Sequence, residues 1–239
     1  MITRNQTILH VLIITVYFGL LSPNTGLNYI PVAYGQAPDS SFQEEVNAID
    51  DMPAQKIRVG DIDIAYKQLG NGSDIPIVLI AGGGMTMDMW SPTLLKELSS
   101  NQTVIIFDNR GAGESTNGTM EYSITQLAND TAGLLDALEI EKADILGYSM
   151  GSFIAQELAL MKPDRVDRLV LYASSCSVKQ AIPPTPEVTQ AFADITNSSS
   201  SIQEEKIISL LFPPNWLKAN PDYQNYMPIP EESVSPQAL

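Results

Sequence analysis

The sequence predicts an α/β fold built on a doubly wound, mostly parallel sheet, and three observations carry that prediction. Short, largely apolar runs recur at residues 75–80, 104–107, 143–146 and 169–173. Runs of this length, bounded by glycine and polar residues, suit strands buried on both faces. Segments of helical periodicity separate them, at 92–98, 124–138 and 152–161, and a strict alternation of strand and helix folds into a parallel sheet covered on both sides. The chain is also long enough, at 239 residues of which 44% are hydrophobic, to bury one sizeable core.

In chain order, residues 1–35 stand apart. Arg4 is their only formally charged residue, and residues 8–21 form an apolar stretch whose one strongly polar member is His10. As a helix this stretch reaches about 21 Å, short of the ~30 Å hydrocarbon core of a bilayer. A basic start, a short apolar run and small residues near Ala33 indicate an export signal cut after Gly35; an uncleaved membrane anchor through residues 8–21 is the alternative. The expected location is extracellular or the outer face of the cytoplasmic membrane. Six Asn-x-Ser/Thr triplets, beginning at Asn5, Asn71, Asn101, Asn117, Asn129 and Asn197, fit export but arise easily by chance. Residues 36–54 are polar and acidic, carry two prolines, and have the character of a linker.

Residues 55–177 form the predicted core. Residues 57–59 and 62–66 alternate apolar and polar about Gly60-Asp61, as two antiparallel strands joined by a tight turn do. Ser123 is placed to cap a helix that aligns Ile124, Leu127, Leu134, Leu135 and Leu138 on one stripe. The helix at 152–161 ends before Pro163. Beyond Ala173 the rhythm stops. Residues 178–239 hold amphipathic segments at 188–195 and 202–212 around the serine run 198–201, and then a proline-rich tail with no further strand. They are expected to be the start of a helical cap followed by a tail.

Composition narrows the function. Thirteen basic residues against 28 acidic give a net charge of −15, which repels phosphate backbones and excludes a nucleic-acid partner. The single cysteine, Cys176, rules out an internal disulfide and a thiolate metal cluster, and is expected to be a small core residue. With no His/Cys cluster and no phosphate-binding loop, neither a metal nor an organic cofactor is expected. The oligomeric state is left open.

Three loops carry chemistry. Gly147-Tyr148-Ser149-Met150-Gly151 lies between the apolar run 143–146 and the helix at 152–161. That is the setting of G-x-S-x-G, in which a nucleophilic serine sits on a sharp strand-to-helix turn and the glycines let the backbone pass. The plain alternative is a glycine-rich turn with a capping serine. Gly82, Gly83 and Gly84 follow the run 75–80. Backbone N–H groups there can stabilise the charge that acyl transfer puts on a carbonyl oxygen, by about 3–4 kcal/mol per donor. Asp108-Asn109-Arg110-Gly111-Ala112-Gly113-Glu114-Ser115 follows the run 104–107. Its Asp and Arg are expected to stabilise the turn rather than act as an acid/base pair. Met85, Met87, Met89 and Trp90 either line an apolar acyl pocket or belong to the core, and the core is favoured.

Together, strand-x-G-G-G, D-x-R-G-x-G-x-S and G-Y-S-M-G, in that order, resemble the α/β-hydrolase fold superfamily, within it the esterase, enol-lactonase and non-metal haloperoxidase-like group. Residues 163–171 are similar to that group's passage from helix to strand after the nucleophile. The resemblance spans about Lys56 to Ala173. It implies Ser149 as nucleophile, the backbone N–H groups of Gly83 and Met150 as the oxyanion hole, Gly147 and Gly151 as the glycines of the nucleophile elbow, and a small acyl substrate such as a carboxylic ester or lactone. Ala81 stands where the family often has a histidine of structural role. Serine at 149 argues against the branches that use a carboxylate nucleophile.

A serine hydroxyl needs an adjacent base, and in this fold the acid and then the histidine follow the serine along the chain. The one histidine here is His10, upstream of the nucleophile. Asp194 and Asp222 follow no predicted strand, so neither is taken as the triad acid. The expectation is a C-terminally incomplete hydrolase that lacks the triad acid and histidine and leaves an apolar sheet edge exposed. The alternative is an exported, non-catalytic domain that kept the fold and binds a small ligand or a partner.

Overall fold

The computed structural model describes residues 10–14, 48–49, 51–72, 75–176, 183–196, 209–210 and 212–221. Seven strands form one sheet: β1 (His10–Ile14), β2 (Gln55–Val59), β3 (Ile62–Leu69), β4 (Ile77–Ile80), β5 (Val104–Phe107), β6 (Ala143–Tyr148) and β7 (Val166–Tyr172). Their order is β1-β7-β6-β4-β5-β3-β2. The pairs from β1 through β7, β6 and β4 to β5 are parallel, while β5–β3 and β3–β2 are antiparallel. The sheet is therefore mostly parallel, as predicted. Val59 pairs with Ile62, so Gly60-Asp61 is a two-residue hairpin loop. Gly60 adopts φ 55° at its first position, a conformation that glycine takes without steric cost.

Three helices cover the sheet: α1 (Pro92–Ser99), α2 (Ile124–Ala137) and α3 (Met150–Met161). Ser123 caps α2 as expected, its hydroxyl oxygen accepting the N–H of Gln126 at 3.1 Å. The strand runs are apolar on both faces because alternate residues enter two different cores. Val78 and Ile80 pack with Leu127, Leu134 and Leu135 of α2 and with Ile154 and Leu158 of α3. Ile77 and Leu79 pack with Leu95 of α1 and with Met87 and Trp90. Each fully buried leucine or isoleucine contributes about 1.5–3 kcal/mol relative to exposure.

The chain divides into two compact units, residues 1–174 with 230–239, and residues 175–229. In the second unit α4 (Pro186–Thr196) covers the first predicted amphipathic segment. The second segment, 202–212, lies outside the described residues apart from 209–210 and 212. Within the proline-rich tail α5 (Pro214–Ala219) begins with proline at its first position, where a missing N–H costs nothing. The rings of Phe212 and Trp216 stack there with centroids 4.5 Å apart. Asp222 lies outside the described residues.

Cys176 corrects an expectation: it is exposed rather than a core residue. The chain has already left the sheet at Tyr172, so the strand's burial does not extend to it. The expected export segment lies outside the described residues except for His10–Ile14, which pair with residues 168–172 along the outer edge of β7. That edge, expected to be bare, is covered over five residues. No helix among the described residues is long and apolar enough to cross a membrane.

Candidate active site

Sheet topology brings two of the three loops together. From β4 the chain passes to β5 on one side and then crosses to β6 on the other. The carboxyl ends of β4 and β6 lie side by side at this reversal, where open α/β sheets form a crevice. Ile80 pairs with Gly147. The glycine loop leaving β4 and the turn leaving β6 therefore emerge next to each other.

Ser149 stands at the tip of that turn. It is exposed and holds φ 51°, ψ −118° directly before α3. A positive φ in a residue with a Cβ is strained, by about 1–3 kcal/mol, and persists only where the surroundings impose it. Two sets of contacts impose it here. Ser149 N–H donates to the carbonyl of Tyr172 at 3.0 Å, which ties the turn to the end of β7. The flanking glycines permit the tight passage. A Cβ on Gly151 would press on the carbonyl oxygens of Ile80 and Ala81, and one on Gly147 would press on the carbonyl of Gly151.

The glycine loop faces this turn. A Cβ on Gly82 would lie 3.3 Å from Ser149 Cβ and 3.2 Å from the Tyr148 ring, and one on Gly83 would lie 3.6 Å from Met150 Sδ. Side-chain-free backbone thus lines one wall beside the serine. The loop turns between Gly82 and Met85, whose N–H donates to the Gly82 carbonyl at 3.3 Å, with Gly84 at φ 70°. Met150 opens α3, so its N–H belongs to the first helical turn, whose donors lack intrahelical acceptors. Gly83, too, is exposed.

The third loop braces the second, a role sequence reasoning missed. Asp108, fully buried, accepts the N–H of Met87 at 2.7 Å with one oxygen and that of Glu114 at 2.9 Å with the other. The Asn109 amide donates to the Ala81 carbonyl at 3.3 Å. The two side chains therefore pin the glycine loop at both ends. Arg110 does not pair with Asp108. It makes a two-pronged bond to Asp130 at 2.6 and 2.7 Å and also reaches Asp61 at 3.1 Å. Carboxylate hydrogen bonding, from Asp130 above all, raises its already high pKa. The loop's Asp and Arg stabilise structure, as expected.

Aromatic rings flank the turn. Tyr148 packs edge-on to Trp90 at 6.3 Å and tilted on Tyr172 at 5.2 Å. Burial, and then the neighbouring Tyr172, raise the Tyr148 phenol pKa, so the ring stays neutral. Met87 and Trp90 are core residues, while Met85 and Met89 are half-buried. His10 pairs with Arg168, four residues before Tyr172 and about 13 Å down the strand from the serine end. No three His, Cys, Asp or Glu among the described residues form a metal-holding group.

Residues 75–215 match the family model described as the alpha/beta hydrolase fold. The chain belongs to the α/β-hydrolase fold family. A proposed carbamate hydrolase, RutD, of Azorhizobium caulinodans is 31% identical over 67% of this chain and 59% of its own length. Rhodomycin D methylesterase DauP of Streptomyces is 31% identical over 48% of this chain and 40% of its own. The enol-lactonase structure from Burkholderia xenovorans superposes with a TM-score of 0.56 at 25% identity, covering 70% of this chain and 63% of that one. This α/β-hydrolase chain spans about half the length of the curated relatives it matches.

Proposed function

We propose that this chain carries the nucleophile of a serine hydrolase that acts on a carboxylic ester, lactone or similar acyl substrate. The observation behind the proposal is the exposed, strained Ser149, held between glycines that admit no side chain and set beside the glycine loop. Ser149 Oγ attacks the substrate carbonyl, and the bond to the leaving oxygen breaks as the acyl group passes to the serine. The negative charge that builds on the carbonyl oxygen is met by the N–H groups of Met150 and Gly83. Water then releases the acid. The names of the relatives, a methylesterase and an enol-lactonase among them, describe attack on a carbonyl of this kind.

His10 belongs to the far end of β7 in register, so on this proposal it is not the base that activates Ser149. Without a base such a serine loses on the order of 10⁶ in kcat. The test is therefore chemical rescue. A fluorophosphonate probe is expected to modify Ser149 slowly, faster with added imidazole, and not at all in Ser149→Ala, as read by peptide mass spectrometry. Labelling that ignores Ser149→Ala sinks the proposal. The missing histidine also supports a second possibility, a non-catalytic, exported binding domain, for which imidazole would have no effect. Export itself rests on residues 1–35; sequencing the amino terminus of the protein recovered from a secreting host tests cleavage after Gly35 against an anchor at 8–21.

A further inference from the structure

We propose that Gln156, Ser174 and Ser152 form a hydrogen-bond relay that polarises the Ser149–Met150 peptide and strengthens Met150 N–H as an oxyanion donor; this rests on Ser149 being the nucleophile. One peptide unit carries the Ser149 carbonyl at one end and the Met150 N–H at the other. Its oxygen meets Ser152 N–H at 2.9 Å and Ser152 Oγ at 2.6 Å. Ser152 is fully buried in α3. Its hydroxyl oxygen also lies 2.8 Å from Ser174 Oγ. The Gln156 side-chain nitrogen lies 3.1 Å from Ser174 Oγ and 3.2 Å from the Ser152 carbonyl.

Proton counting sets the direction. A carbonyl has no proton to give, so Ser152 donates its single hydroxyl proton across the 2.6 Å contact to the Ser149 oxygen. The 2.8 Å contact between hydroxyls then takes the proton of Ser174. Gln156 donates one amide proton to Ser174 and the other to the Ser152 carbonyl. Along the path from Gln156 through Ser174 and Ser152, each of these donations points towards Ser149. Aligned bonds strengthen one another by roughly 10–30% each, and an amide whose oxygen is hydrogen-bonded loses electron density from nitrogen and donates more strongly. A helical serine bonding back to a carbonyl slightly weakens its helix, so helix stability alone gives no reason for Ser152. Ser174 follows Tyr172 and Ala173 at the end of β7, and Ala173 has φ 53°. The relay thus couples α3 to the same strand end that holds Ser149 N–H.

Ser152, Ser174 and Gln156 are positioning residues, and the first readout is the Met150 amide resonance of the ¹⁵N-labelled chain. A nitrogen moves upfield when the preceding carbonyl loses a hydrogen bond. Ser174→Ala and Gln156→Met are expected to shift Met150 upfield, and Ser174→Thr, which restores the hydroxyl, to return it. Gln156→Met leaves β7 untouched and carries the test should Ser174→Ala not fold. The second readout is imidazole-assisted labelling of Ser149 by the fluorophosphonate. Its maximal rate is expected to fall about two- to eightfold, with half-saturation unchanged, if a donor worth 10²–10³ weakens by 10–30%. A Met150 resonance unmoved in both variants overturns the relay alone, whereas labelling that survives Ser149→Ala overturns the serine nucleophile.

Discussion

Ser149 holds a backbone conformation that few residues with a Cβ adopt, and its two glycine neighbours are strict for steric rather than conformational reasons. Gly147 and Gly151 show no positive φ, but any Cβ there meets backbone atoms that cannot move without disturbing β4 or α3. Gly151→Ala and Gly147→Ala are each expected to cost about 3 kcal/mol or more. Gly60→Ala serves as the contrast, because Gly60 has φ 55° but nothing within 4 Å of a Cβ, and only the strain of about 1–2 kcal/mol applies. Urea midpoints of the three variants check the ranking. The glycines and the serine were legible in the sequence, since a five-residue motif between strand and helix has few structural solutions. Asn109 was not: its partner, the Ala81 carbonyl, lies 28 residues earlier, and no local pattern announces it.

The loop after β5 is organised by Arg110, which is 1% exposed. Its carboxylate partners come from α2 and from the β2–β3 hairpin, so one side chain ties a helix and a hairpin to a loop. Arg110→Met leaves the buried Asp130 without its cation, the Gln126 amide being its one remaining side-chain partner among the described residues, and is expected to cost about 3–5 kcal/mol in denaturant unfolding. Asp61 adds a pH dependence. The backbone N–H of Thr119, then that of Met120 and the Arg110 guanidinium, hold its carboxyl well below the ordinary range against the cost of desolvation. A carboxylate depressed in the folded state contributes stability that is fully present above its unfolded pKa, near 3.9, and is lost as pH falls towards the folded value. The melting temperature is therefore expected to decline more steeply below about pH 4 in the wild type than in Asp61→Asn, by calorimetry. That the loop is structural follows from its charged and glycine residues; which elements it joins follows only from the fold.

Across the whole molecule, the surplus of acidic residues acts at long range. A net charge of −15 on one chain repels itself, and raising sodium chloride from about 0.01 M to about 1 M shortens the screening length from about 30 Å to about 3 Å. The melting temperature is expected to rise across that range, and a fall would show that local ion pairs outweigh net repulsion. The strand runs, the alternation with helices, the hairpin at Gly60-Asp61 and the cap at Ser123 were all determined by the sequence, because each depends on residues close together in the chain. Strand order, the meeting of the β4 and β6 ends, the bracing of the glycine loop by Asp108 and Asn109, and the hydroxyl chain from Gln156 to Ser149 were decided by tertiary structure alone. Each of these depends on where the chain returns after a crossover, and that is set by how two cores fill on opposite faces of one sheet rather than by any local preference.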